Sequence, residues 1–429
     1  MVRLVCLALF AASLLAAAVQ QAASGAKNKA AVSRTSKREA AAGTARQPKT
    51  SAARPASASR SASRTAAPAK PGKPAAMRSG ASRTRTGGLT PAPSRRPLRT
   101  RRRQSYSPWS TPTYADSTLG DVADGEDPVV RRAAVEALGP YNGSVVVADP
   151  FTGRILAMVN QKLARSGAYQ PCSTIKLVAA VAGLQEGIID RNTRLRLTRR
   201  ESMDLTEALA RSNNKFFFDI GEKLGFDRIV YYARLFGLGE KSGLDIEGES
   251  PGILPEWKPK EVPCGMMTSF GEAIAITPLQ LTAMVSAIAN GGSLYWLQHP
   301  RSQEEADRLT PRLKRQIEIA ARIEDILPGM MGAVDYGTAR RAAFDPSTPI
   351  FGKTGTCTDA RTHLGWFSSF NDVNGRKLVV TVLLTGGAPV NGPVAAGIAG
   401  QVYKALADQQ YLAGRRPYSP AALVSDGGR

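Results

Sequence analysis

The sequence predicts an α+β domain. Its central antiparallel sheet is built from both ends of the folded segment, with a helical lobe between, and a disordered basic tail precedes it. Two β-rich runs stand near the start of the folded part, "GSVVVAD" and "RILAMVN", separated by the turn-like "PFTG". Three more stand near its end: "PIFGKTGTC" (349–357), "HLGWFSSF" (363–370) and "KLVVTVLL" (377–384). Between them lie segments with apolar residues at helical spacing. Strands at both ends and helices in the middle are the segregation that defines the α+β class.

In chain order, "DPVVRRAAVEALG" (127–139) reads as a helix with an Asp-Pro start and a terminal glycine. The hairpin 143–160 follows. Ser173 opens the next helix, with apolar Ile175, Leu177, Val178, Val181 and Leu184 behind it and Gly187 at the stop. "MDLTEALARSNNKFFFDIGEKLG" reads as a helix, a break at Ser212-Asn213-Asn214 and a second helix ending at Gly225. "TPLQLTAMVSAIANGG" is another helix, with Pro278 in its first turn. The three late strands and a closing helix over 392–408 complete the domain, which has no internal repeat.

Charge separates this domain from what precedes it. The chain of 429 residues carries a net charge of +22. Residues 1–105 hold 22 Lys and Arg against one acid, Glu39, which leaves the rest nearly neutral. A near-neutral domain therefore follows a basic leader. Arg3 and the apolar run "LVCLALFAASLLAAAV" over 4–19, followed by small residues, read as an export signal with cleavage after Ala26; a short membrane anchor is the alternative. Residues 27–105 have almost no large apolar side chains and are expected to be disordered. They would act as a tether, with an end-to-end distance of about 50 Å. The same charge suits adhesion to an anionic membrane or cell-wall surface. The export signal argues against nucleic acid as a partner. The expected boundaries are 1–26, 27–105, a folded domain over 106–412 and a tail over 413–429. The location that follows is the periplasm or the extracytoplasmic face of the cytoplasmic membrane.

Composition also narrows the chemistry. Only two histidines are present, His299 and His363, and neither has the neighbours of a Ser-His-Asp triad. The four cysteines are widely spaced, with no C-x-x-C and no H-E-x-x-H, so no metal site is expected. No Walker loop or dinucleotide fingerprint occurs, and no cofactor is expected. A serine nucleophile without histidine needs another base, and a desolvated lysine can serve. Ser173 and Lys176, at i and i+3, share one helix face. A Ser-capped helix with a snorkelling lysine fits the same pair, and S-x-x-K recurs without meaning at Ser24–Lys27. Ser212-x-Asn214 sits at a helix break, where a helix cap is the plainer reading. Lys353-Thr354-Gly355-Thr356 lies mid-strand, where a glycine marks close backbone approach and a lysine beside hydroxyls suits a carboxylate.

Taken in order, S-x-x-K, S-x-N and K-T-G resemble the signature of the penicillin-interacting serine enzymes. The flanking blocks "VVVADPFTGRILAMVN", "LARSNNKFFFDIGEKLG", "GLDIEGESPG", "ITPLQLTAMVSAIANGG" and "FGKTGTCTDARTHLGWFSSF" look like the transpeptidase domain of penicillin-binding proteins, in the same order. The resemblance covers about residues 125–410 and is closest to the class B, monofunctional type. It departs in the short segment between Lys176 and Ser212, in the absence of a large N-terminal dimerisation domain or a glycosyltransferase domain, and in Cys172, where these proteins usually carry glycine.

The resemblance implies the β-lactamase/transpeptidase-like fold and a D,D-transpeptidase that cross-links peptidoglycan stem peptides and is trapped by β-lactams, with a glycan synthase as a further partner. Ser173 would be the nucleophile, Lys176 its base and Ser212 the proton relay. Asn214 would orient the substrate amide. Lys353, Thr354, Gly355 and Thr356 would bind the substrate, and the backbone N–H groups of Ser173 and Thr356 would form the oxyanion hole. A D,D-carboxypeptidase or a serine β-lactamase would pass the acyl group to water, and a non-catalytic wall-binding or penicillin-sensing protein would use the cleft for binding only. No E-x-x-L-N-like segment supplies a β-lactamase's second carboxylate, and Glu249 fits the transpeptidase pattern better. Some class A β-lactamases carry a bridge between the positions held here by Cys172 and Cys357. The resemblance therefore implies that disulfide, with Cys264 left free.

Overall fold

The computed structural model describes residues 110–413, apart from 319, 360 and 361. The expected export segment, the basic linker and the tail beyond 413 lie outside the described residues. No helix among these is long and apolar enough to cross a membrane.

The chain runs α1 (Pro128–Leu138), β1 (Gly143–Ala148), β2 (Ile155–Val159), α2 (Gln161–Ser166), a 3-10 turn (Cys172–Ile175), α3 (Lys176–Gln185), β3 (Leu195–Arg196), β4 (Ser202–Met203), α4 (Leu205–Ala210) and α5 (Asn214–Leu235). It continues through α6 (Cys264–Phe270), α7 (Pro278–Ala289), β5 (Ser293–Tyr295), α8 (Gln303–Asp307), β6 (Leu313–Gln316) and α9 (Ala320–Asp335). It closes with β7 (Ile350–Asp359), β8 (Thr362–Val373), β9 (Arg376–Gly386) and α10 (Gly392–Asp408).

Five strands form one antiparallel sheet in the order β2-β1-β9-β8-β7. The sheet joins both ends of the domain, as expected: β1 pairs with β9 from Gly143↔Leu384 to Ala148↔Val379. The β8–β9 connection is Asn374-Gly375, both at positive φ, as a two-residue hairpin turn requires. Side chains alternate between two cores. Val146, Ala148, Trp366 and Phe370 face the helical lobe, and Val145, Val147, Phe367 and Val380 face α1 and α10. Coverage on both faces explains why these strands read as nearly continuous apolar runs. Helix α7 is the pillar of the lobe. All of its residues are buried, and Thr277 and Gln280 close a capping box at its start.

The structure departs from the sequence reading in three places. Ser173 does not begin an α-helix. It lies in the 3-10 turn, α3 begins at Lys176, and no side chain caps that start. The helix expected to stop at Gly225 does break there (φ 72°, ψ 169°), but a further helical stretch to Leu235 follows at once. Helix α9 has no counterpart in the sequence reading; Pro328 lies inside it and glycines at 329 and 332 lower its helix propensity. The structured chain also begins well before α1. Buried Glu126 receives bonds from Met158 N, Gln161 Nε2 and Arg131, and lies 2.9 Å from His299 Nε2. Asp121 binds Arg131 and the amides of Asn160 and Gln161. These partners pin the segment before α1 to the hairpin.

Candidate active site

The three motifs converge, and a buried amine is where they meet. Lys176 is fully buried at the start of α3. Its Nζ lies 2.9 Å from Ser173 Oγ, 2.9 Å from the Ser212 carbonyl oxygen, 3.1 Å from Ser212 Oγ and 2.6 Å from Asn214 Oδ1. The helix break puts two of these oxygens in place. Ser212 adopts a left-handed φ of 55° between α4 and α5, beside the amine that its carbonyl meets. Asn213, between the two motif residues, caps α5 by accepting from Phe216 N. Capping and active-site duties therefore fall on different residues of one tripeptide.

Proton bookkeeping follows from these contacts. The Ser212 carbonyl and Asn214 Oδ1 can only accept. They take the two hydrogens of a neutral amine, and its lone pair is left for the hydroxyl of Ser173 or Ser212. Burial, and then the nearby Lys353 charge, push the Lys176 ammonium down to about 6. Burial pushes Lys353 down to about 7. The Phe217 ring centroid, 5.7 Å from Nζ, belongs to the apolar wall that excludes water.

Strand β7 is the outer strand beside this cluster, and it pairs with β8 in an unbroken register from Ile350↔Asn371 to Asp359↔Thr362. Gly355 lies directly against the nucleophile turn. A Cβ there would stand 3.0 Å from the Pro171 carbonyl oxygen and 3.2 Å from Thr174 Cγ2, so a side chain would force the strand and the turn apart. Just beyond this contact, Cys172 and Cys357 are joined in a disulfide with Cα atoms 5.6 Å apart, within the usual range. Cys172 has a left-handed φ of 51°, a conformation that costs a residue with a side chain more than it would cost glycine. Cys264 is free and buried. The segment before the turn is held as well: Trp366 Nε1 donates to Gln170 O, and Gln170 Nε2 donates to Phe270 O.

The structure thus brings Ser173, Lys176, Ser212 and Asn214 into one hydrogen-bonded cluster and lays β7 against it. The Lys353 amine donates to the Thr354 carbonyl at 3.1 Å. Thr338, three residues beyond α9, has its hydroxyl oxygen 2.6 Å from that of Thr354 and carried no sequence signal. Glu249 lies apart. Its carboxylate accepts from Ser242 N and Gly243 N at 2.7 and 2.8 Å and so ties a loop. No group of three or more His, Cys, Asp or Glu suited to a metal occurs among the described residues.

Residues 143–404 match the family described as the penicillin binding protein transpeptidase domain. The chain belongs to the penicillin-binding protein transpeptidase family. Among its relatives, stage V sporulation protein D of Bacillus subtilis is 29% identical over 310 residues, covering 62% of this chain and 48% of that protein. The peptidoglycan D,D-transpeptidase MrdA of Haemophilus influenzae is 26% identical over 361 residues, covering 63% and 54%. The chain spans about half the length of these curated relatives. Among solved structures, Pseudomonas aeruginosa PBP2 superposes with a TM-score of 0.56 at 25% identity, covering 70% of this chain and 80% of that one. The transpeptidase domain of Burkholderia pseudomallei penicillin-binding protein 3 shares the fold, with a TM-score of 0.55 at 19% identity over 68% and 94%. The family match spans β1 to α10 and so includes the nucleophile turn, the helix break at Ser212 and strand β7.

The disulfide closes a sequence separation of 185 residues. In the chain-entropy model such a loop contributes up to about 5 kcal/mol. A non-reducing digest of protein made in an oxidising compartment should recover Cys172 and Cys357 in one linked peptide pair. Reduction should lower the denaturation midpoint. Recovery of the two as separate alkylated peptides would refute the bridge.

Proposed function

We propose that this penicillin-binding protein is a peptidoglycan D,D-transpeptidase working through a serine acyl-enzyme. One observation carries the reading: a buried, neutral-leaning amine whose hydrogens are claimed by two carbonyl oxygens, with a serine hydroxyl 2.9 Å from its nitrogen. Ser173 Oγ attacks the carbonyl of the penultimate D-alanine of a stem peptide while its proton passes to Lys176 Nζ. The backbone N–H groups of Ser173 and Thr356 receive the oxyanion. The close contact of Gly355 with Pro171 and the adjacent disulfide support a fixed spacing between those two backbones. As the tetrahedral centre collapses, Ser212 relays the proton from Lys176 to the leaving amine and D-alanine departs. An amine of a second stem peptide then attacks the acyl-enzyme and passes its proton through Ser212 to Lys176; as the acyl C–Oγ bond breaks, Lys176 returns a proton to Ser173 Oγ and the cross-linked peptide leaves. Lys353, Thr354 and Thr356 hold the terminal carboxylate, and Asn214 positions both Lys176 and the substrate amide.

Glu249 bears on the hydrolytic alternatives. Its carboxylate ties a loop through the amides of Ser242 and Gly243 and makes no hydrogen bond to Ser173, Lys176 or Ser212, so its contacts are those of a loop brace and not of a deacylating base. On this reading the protein works outside the cytoplasm, with residues 27–105 as a basic tether that adheres to anionic wall or membrane and a glycan synthase as its supplier of strands.

Three outcomes follow. Ser173→Ala should abolish the covalent adduct with benzylpenicillin, seen by intact-protein mass spectrometry. It should leave the thermal midpoint nearly unchanged, since this hydroxyl caps no helix. Full labelling of the variant would remove Ser173 from the chemistry.

The acylation rate should be high above pH 6 and fall about tenfold per unit below it, because the base is lost as Lys176 takes up a proton. In Lys353→Met this acid limb should move to higher pH, since the Lys353 charge is one of the two causes that depress Lys176. An unchanged limb would detach Lys353 from Lys176.

Deleting residues 27–105 should leave acylation by a soluble β-lactam unchanged and weaken sedimentation with isolated cell walls at low salt, an effect that added salt should mimic. Salt-independent sedimentation would leave the tail as a tether alone.

A further inference from the structure

Strand β7 offers two faces to its surroundings. Gly355 lies against the nucleophile turn, within 3.2 Å of Pro171 and Thr174 by the position of its missing Cβ. Thr354 and Thr356 lie on the alternate positions, and each hydroxyl meets a partner there. The backbone N–H of Gly392, at the first turn of α10, donates to Thr356 Oγ1 at 2.8 Å. Gly392 comes this close because it lacks a side chain: a Cβ would stand 2.9 Å from the Gly355 carbonyl oxygen and 3.0 Å from Thr356 Oγ1. The Thr338 and Thr354 hydroxyl oxygens lie 2.6 Å apart.

Thr338 is fixed from below. Its N–H donates to the Ala210 carbonyl at 3.1 Å, and the preceding Gly337 packs so tightly that a Cβ would fall 2.1 Å from the same oxygen. Ala210 ends α4, two residues before Ser212. Thr338 therefore spans from the turn that carries Ser212 to the strand that carries Thr354.

Each threonine hydroxyl has one hydrogen to give and lone pairs to receive with. The Gly392 N–H occupies the receiving side of exposed Thr356, so the Thr356 hydrogen is left for an acceptor that arrives from solvent. Thr354 is different. Its hydrogen goes to Thr338 or elsewhere, and it can go elsewhere only if Thr338 becomes the donor. A carboxylate accepts only, and charge-assisted hydrogen bonds are roughly twice as strong as neutral ones, so a docked carboxylate sets the direction.

We propose that Thr338 is a positioning residue for carboxylate recognition: its hydroxyl turns to donate to Thr354 Oγ1, which frees the Thr354 hydrogen for the substrate carboxylate. Both threonines of the K-T-G-T stretch then donate to one anion, Thr356 backed by the α10 amide and Thr354 backed by Thr338. No covalent bond changes; two hydroxyl rotors reset. The inference rests on the transpeptidase reading and adds to it a residue outside the three motifs.

The test uses the full-length protein and two ligands that differ only at the carboxylate, benzylpenicillin and its methyl ester. Acylation is followed at several concentrations, which separates the noncovalent dissociation constant from the acylation rate constant. Thr338→Val removes the hydroxyl and keeps the branch, and Thr338→Ala, with less bulk, is read in parallel. Each should raise the dissociation constant for benzylpenicillin about tenfold, the loss of one hydrogen bond to a charged group's network. The acylation rate constant should change little, and acylation by the ester should change less than about twofold. Thr338→Ser should restore benzylpenicillin to within about threefold. Equal losses on acid and ester would show a merely structural role, and no loss on the acid would show no role; either overturns the proposal. Wild-type protein that forms no penicillin adduct would overturn the transpeptidase reading and this inference together. A wild-type adduct with insensitive variants would overturn this inference alone.

Discussion

The site depends on the burial of one amine. Lys176 lies in an apolar helix whose residues from Lys176 to Leu184 are all buried, and a cation there has little water to solvate it. The protein meets it with oxygens rather than with a carboxylate: Ser212 O, Asn214 Oδ1 and two hydroxyls. A carboxylate partner would stabilise the ammonium and hold the proton on it. Neutral acceptors orient the amine and leave its basicity low, which suits a base working near neutral pH. The surrounding architecture serves this arrangement. The helix break supplies the carbonyls, Phe217 excludes water, and β7 brings a second cation that favours the neutral form.

The same constraint accounts for the contacts that hold the turn and β7 together. Glycine at 355 admits the turn, Gly271 admits Pro171 (a Cβ would stand 2.3 Å from its ring), and the disulfide bridges the two segments one residue beyond the catalytic positions. Cys172 occupies a backbone conformation that glycine adopts without cost. The cross-link thus holds a left-handed residue at the position that sets the direction of the nucleophile turn.

Much of this was legible in the sequence, for identifiable reasons. The sheet strands carry dense Val, Leu and Phe, and their grouping at the two ends of the domain gave the α+β class. S-x-x-K, S-x-N and K-T-G are short and local, and each is weak alone; their order and the blocks around them carried the family resemblance that pointed to Ser173, Lys176, Ser212, Asn214 and Lys353. What escaped was set by packing. The 3-10 turn under Ser173 looks in sequence like any Ser-led helix. Helix α9 contains Pro328 and two glycines, which weaken its sequence signal, although its burial against the lobe outweighs that cost. Thr338 and Gly392 matter only because distant segments bring them behind β7, and no periodicity or composition marks such residues.

The order in which the chain is made gives the sheet a further property. Strands β1 and β2 emerge early, but the central partner of β1 is β9, since Gly143 pairs with Leu384. Closing that pair means ordering a loop that contains the entire helical lobe, and such non-local pairing is slow. Until the C-terminal strands are available, the early hairpin has an open edge and an uncovered apolar face. It stays a fluctuating element, with neither the sheet nor α10 to complete its core. The nucleophile turn and strand β7 are likewise separated by most of the lobe, so a chain that ends before β7 carries Ser173 without the strand that completes its site.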